Sequence, residues 1–218
     1  MKKILFLLFV LSVTPLFADI TIVQKVASGP VMGQPGGTDI MTMKIKGSKA
    51  RIDHTNSKSF QIVDLSEQKV YTADPDKKTV MVLPLDMMKQ VGSAVMGTAG
   101  GTINFKKTGR TEKINGYNCE EYTMSSEGMM KLSGNLWVTK DFDTGEYGPF
   151  KEFSESFLKG MKANNAPEGM TIRSNTKMSL MGQDISASNE VQSVSREPVP
   201  DSAFTVPADY TKQEMPKM

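Results

Sequence analysis

The sequence predicts an α+β domain built on one large, curling antiparallel sheet with two longer helices as cover. Three observations carry this. Apolar and polar residues alternate with period two through most of the chain after Asp19. Turn residues interrupt that alternation at short intervals, and only two segments show helical spacing.

In chain order, Ile20, Ile22 and Val26 open a strand, and the run from Gly29 to Gly37 reads as a loop rich in glycine and proline. Met41, Met43 and Ile45 line one face of the next strand, with Thr42, Lys44 and Lys46 opposite. Gly47-Ser48 turns the chain into Ala50–Asp53. Short strands follow at Phe60–Leu65, Val70–Thr72 and Thr79–Leu83, joined by Ser66-Glu67-Gln68 and Asp74-Pro75-Asp76. After Pro84, residues Met87, Met88, Val91, Ala94 and Val95 recur at helical spacing behind Asp86, a good N-cap. Gly97, Gly100 and Gly101 stop this helix.

Strands resume at Thr102–Lys106 and Arg110–Ile114. The latter pairs with Tyr117–Met124 across Asn115-Gly116, a strong hairpin signal. Leu136–Thr139 is a further strand. Phe150–Ala163 reads as the second helix, with Phe153, Phe157, Leu158 and Met161 on one side. Met170, Ile172, Met178 and Leu180 then alternate with polar residues, and Gly182 turns the chain into Ile185–Val194. The count is about a dozen strands.

The domain boundaries follow. Residues 1–18 read as an export signal: Lys2 and Lys3 precede the apolar run Ile4–Val13, Pro15 breaks it, and Leu16-Phe17-Ala18 offers a cleavage point. The run is too short to span a bilayer, and no later run approaches spanning length. Residues 19–210 form a single domain and 211–218 a disordered tail. The expected location is therefore the periplasm, as a soluble protein.

Composition narrows the function. The formal charge of +2 falls to zero without Lys2 and Lys3, and His54 is the only histidine, which argues against nucleic acid as a partner. Cys119 is alone, so no internal disulfide forms. The 17 methionines suit irregular cores and adaptable apolar surfaces.

No segment reads as an active site, and the expectation is a protein that is not an enzyme and uses no cofactor. His54 lacks a Gly-x-Ser-x-Gly partner and is better explained as a polar strand-end residue. Cys119 lies in an alternating strand, where most lone cysteines are packed. Gly97–Gly101 follows a helix instead of opening one, and Gly33–Gly37 lacks the Gly-Lys-Ser/Thr ending of a phosphate loop. Asp141–Gly145 imitates a calcium loop but places Glu146 where such loops require glycine. Glu120 and Glu121 lie on opposite strand faces and cannot act together. The methionine pairs Met41/Met43, Met87/Met88, Met129/Met130 and Met178/Met181 leave Cu(I) binding as an alternative, through soft thioether ligands.

Several segments together resemble an uncharacterised family of exported bacterial proteins known only as a domain of unknown function. They are Lys49–Asp53, Ile62–Leu65 through Val70-Tyr71 to Val80–Pro84, Asn115–Tyr122, Leu136–Asp141 and Phe204–Tyr210. The family is similar in layout to periplasmic lipoprotein carriers and outer-membrane lipoprotein receptors of the LolA/LolB type. That resemblance implies an incomplete β-barrel closed by helices around an apolar cavity, with a lipid, an acylated protein or another apolar molecule as partner. It places Met41, Met43, Ile45, Met178 and Leu180 on the concave side, and Met87, Met88, Val91 and Val95 on a helix plugging it. The same residues would equally form a filled core in a structural or interaction protein.

Overall fold

The computed structural model describes residues 19–30, 35–95, 101–128, 130–142, 144–160, 162–180 and 183–214. The expected export signal, and Gly33, Gly97, Gly100 and Gly182, lie outside the described residues.

The first half is a meander of β1 (Ile20–Ser28), β2 (Gly37–Lys46), β3 (Lys49–His54), β4 (Ser57–Asp64), β5 (Lys69–Asp74) and β6 (Thr79–Pro84). Helix α1 (Leu85–Val95) follows. The second half contains β7 (Ile103–Ile114), β8 (Tyr117–Ser126), β9 (Met130–Thr139), α2 (Pro149–Gly160), β10 (Ala163–Asn164), β11 (Met170–Leu180), β12 (Gln183–Ser195) and β13 (Thr211–Glu214). All thirteen strands form one sheet in the order β10-β7-β8-β9-β11-β12-β1-β2-β3-β4-β5-β6-β13. Every pairing is antiparallel except β10–β7 and β13–β6 at the two ends. The sheet does not close, because β10 and β13 stand at opposite edges.

The β7–β8 hairpin shows how local sequence sets the meander. Asn115 and Gly116 take φ of 49° and 92°, the double positive φ of a type I′ turn whose twist matches the strands it joins.

The meander also sets a row of apolar residues across six strands. Ile20 pairs with Ile45, Ile45 with Ala50, Ala50 with Val63, Val63 with Val70, and Val70 with Leu83. Period two puts the neighbouring row, Arg51, Ile62, Tyr71 and Val82, on the opposite face. Both faces therefore carry apolar residues, and each needs its own cover.

That cover departs from expectation. Two longer helices over the sheet are not borne out, and the fold is mostly β instead of α+β. Helices of 11 and 12 residues are only about 17 and 18 Å long, against roughly 60 Å of arc across thirteen strands. Helix α2 is the main helical cover. It ends before the expected Ala163, because Lys162 adopts a left-handed φ of 51° and Ala163-Asn164 become a parallel edge strand against β7. Helix α1 sits at the β6 end, where Lys89 Nζ lies 5.9 Å from the Phe153 ring of α2.

The second face is covered by the chain after β12, which is largely irregular and makes one 3-10 turn at Asp201–Phe204. Residues 196–210 cross β2–β6, and Phe204 is buried while Val206 and Tyr210 pack on the Phe60, Ile62, Ala73 and Val80 cluster. Lys46 Nζ donates to Val199 O at 2.9 Å and pairs with Asp201. Arg51 stacks 3.8 Å above Phe60 and donates to Ala203 O at 3.1 Å. Thr211–Glu214, placed by sequence in a disordered tail, instead pairs with Thr79–Val82. An edge strand offers main-chain groups to any extended segment, so no side-chain pattern announces such pairing.

Arg51→Ala removes both the stacking and the donation to Ala203. We expect a loss of about 1–3 kcal/mol in urea unfolding, with new protease cuts confined to residues 196–214. Cuts spread evenly over the chain would contradict this strap.

Candidate ligand cavity

Helix α2 starts with Pro149 at its first position, where a missing N–H costs nothing, and carries Glu152 in its first turn and Lys159 in its last. Its half-buried Phe150, Phe153 and Leu158 face the sheet, while Lys151, Glu152, Glu155 and Lys159 are exposed. Beneath it, β1 and β2 present Ile22, Gln24, Met43 and Ile45, and β12 adds Val191. The loop Ala166–Gly169 closes one side. Gly169 has φ of 124°, and a Cβ there would stand 2.2 Å from Thr139 O, so only glycine lets this loop press against the end of β9.

These elements enclose a half-open cavity of about 670 Å³. Its lining is mostly aliphatic and aromatic. The charged side chains that touch it, Lys151, Glu155 and Glu168, are all exposed and therefore sit at its mouth.

Of the residues expected at a ligand site, Met43 and Ile45 line this cavity. Met41 shares their face one pair further on, opposite Gln24 on β1 and His54 on β3. Met178 does not join them. It lies opposite Ile185 on β12, six residues from Val191 and so about 20 Å along the strand. Met87 is half-buried and Met88 is exposed on α1, and neither lines the cavity. The side chains of Val91, Val95 and Leu180 lie outside the described residues. Of the methionines considered for Cu(I), Met129 and Met181 lie outside the described residues, Met41 and Met43 are on β2, Met87 and Met88 on α1, and Met178 on β11.

Sequence reasoning missed Gln24, Val191, Tyr147 and Phe150. For Gln24 a signal existed: it interrupts the apolar series Ile20, Ile22, Val26 at a position where the strand period demands a buried side chain.

Beyond Met41 lies a polar cluster. His54 Nδ1 is 2.7 Å from Asp39 Oδ2, and Asp39 Oδ1 accepts from Thr55 Oγ1 at 2.7 Å and from the Asn56 and Ile40 amides. Burial alone would raise the Asp39 pKa, but these bonds outweigh it and hold the carboxyl down at about 2. Across the sheet, Glu121 is buried and accepts from Arg110, Asn135 and Thr108, while Glu120 pairs with Lys107. Cys119 is buried, and burial pushes its thiol pKa up.

Residues 31–210 match the family described as Domain of unknown function (DUF4412). The chain belongs to that family. No curated protein matches it by sequence. Among solved structures, this DUF4412 protein shares its fold with an uncharacterized conserved protein from Thermus thermophilus. The TM-score is 0.52 at 8% identity, over 91% of each chain. It is similar to PNGF-II at a TM-score of 0.43 and 13% identity, over 90% of this chain and 31% of that one. It thus spans under a third of the PNGF-II chain. It is also similar to the LolA superfamily protein NE2245 from Nitrosomonas europaea, at a TM-score of 0.37 and 9% identity, over 88% of this chain and 91% of that one. Among the described residues, no helix is long and apolar enough to cross a membrane.

The Asp39 cluster gives a pH prediction. A carboxyl whose folded pKa is about 2, against an ordinary 3.8, stabilises the fold above pH ~4, and this contribution fades as pH falls towards 2. Asp39→Asn should therefore melt lower than the parent at pH 7, with the gap narrowing towards pH 2. Thermal melts across that range check it, and a constant gap would contradict it.

Proposed function

We propose that this DUF4412 protein is a non-enzymatic periplasmic protein that binds an apolar or lipid-like ligand between α2 and the β1–β2 face. The observation that carries the reading is the cavity of about 670 Å³ lined by Ile22, Met43, Ile45, Phe150, Phe153 and Leu158. That volume is within the range of ligand sites, roughly 300–1,000 Å³. Each methylene buried there contributes about 0.8 kcal/mol, so even part of an acyl chain is held usefully. Met43 suits such a site, since an unbranched thioether adapts to chains of varied shape. The signal-like first eighteen residues support the periplasmic location, and the family's likeness in strand-rich layout to carriers of the LolA/LolB type supports the ligand class.

Native mass spectrometry of the protein purified from an exporting host, followed by organic extraction, tests this. The expected result is lipid-sized mass on the wild type. Met43→Trp, which fills the cavity, should lower lipid retention at least about tenfold, with a stability cost of about 1–3 kcal/mol or less. A bare polypeptide mass that stays unchanged after incubation with phospholipid vesicles would overturn the reading.

A further inference from the structure

The cavity has a polar residue where apolar burial alone would place none. Gln24 is 7% exposed, lines the cavity floor between Ile22 and Val26, and its carboxamide bonds to none of the described residues. Its amide atoms keep some exposure and open onto the cavity, where a bound group completes their hydrogen bonds. Asn189 pairs with Val26 on β12 and thus shares the face of Gln24, and its Oδ1 is buried without a partner. Of the two carboxamides, Gln24 lines the cavity, so its donor and acceptor capacity is open to a ligand there.

The surrounding charges select among the groups that would meet it. The charged side chains of the lining, Lys151, Glu155 and Glu168, are at the mouth, so none neutralises an ion at Gln24. The nearest titratable pair on the same face is His54 and Asp39, across Met41 and Val26, and Asp39 stays ionised down to a pKa of about 2. An anionic head group would be buried unpaired and would meet a like charge. A hydroxyl fits instead: it accepts from the Gln24 Nε2–H or donates to Gln24 Oε1.

Resting on the cavity reading above, we propose that the ligand is a neutral amphiphile that enters hydroxyl first. Its hydroxyl seats at Gln24 and its hydrocarbon chain runs along Ile22, Met43 and Ile45 beneath α2. Gln24 is the residue that distinguishes this ligand from a hydrocarbon or an ionised fatty acid of the same length.

The test is displacement of the apolar fluorescent dye phenylnaphthylamine from delipidated protein by three chains of equal length. These are tetradecanol, its methyl ether and tetradecanoate. Tetradecanol should displace dye at roughly tenfold lower concentration than either competitor, the size expected when a buried polar group loses its partner. Gln24→Leu should erase that preference while the variant still binds the dye. Gln24→Met, unbranched and of similar length, should do the same and serves if the leucine variant does not fold. Equal displacement by all three chains in the wild type, or a preference that survives in both variants, would overturn the hydroxyl assignment while leaving the cavity reading intact. Preference for tetradecanoate would overturn the neutral head group. Failure of the dye and of all three chains to bind the folded wild type would overturn the cavity reading and this inference with it.

Discussion

Main-chain hydrogen bonding in a sheet is indifferent to which face a side chain takes, and this protein uses both. From β1 to β6 the row beginning at Ile20 and Ile45 points one way, and the row containing Ile62 and Tyr71 points the other. An open sheet that is apolar on both faces is stable only if each face is shielded from water. The rest of the architecture answers that requirement. One face receives α2 and the loop before β11. The other receives the irregular chain after β12, pinned by Lys46 and Arg51 and anchored by the buried Phe204 of its 3-10 turn.

The two covers differ in kind, and the difference creates the candidate site. An irregular segment with a single 3-10 turn follows the sheet closely, so Val206 and Tyr210 reach directly into the Phe60–Val80 cluster. A helix is a cylinder about 10–12 Å across, and one of 12 residues bridges a twisted surface without following it. Space is left between Phe150, Phe153 and Leu158 above and Met43 and Ile45 below. Gly169 sets one wall by permitting a backbone approach that a Cβ would block.

Polar groups are treated differently at the two ends of this face. Around Asp39, every oxygen is met by a hydroxyl, an imidazole or an amide, and the carboxylate is stabilised. At Gln24, hydrogen-bonding capacity is left open to a cavity. Satisfied polar groups fix a fold, whereas unsatisfied ones beside empty space are what a binding site needs.

Much of the sheet is legible in the sequence. The alternation of Met41, Met43 and Ile45 places them on one face, and Asn115-Gly116 specifies a hairpin, because strand period and turn geometry are local properties. The helical segments are legible for the same reason, although their small reach over the sheet is not. Local pattern says which face a residue takes but not how far along the sheet it lies. Met178 and Met43 therefore share a face by pattern, yet the register separates Met178 from the cavity. The pairing of Thr211–Glu214 with β6 is carried by backbone groups that every sequence possesses, so side chains do not reveal it. Strand order, the identity of the residues beneath α2 and the unpartnered state of Gln24 were decided by tertiary structure, because each depends on which distant segments meet.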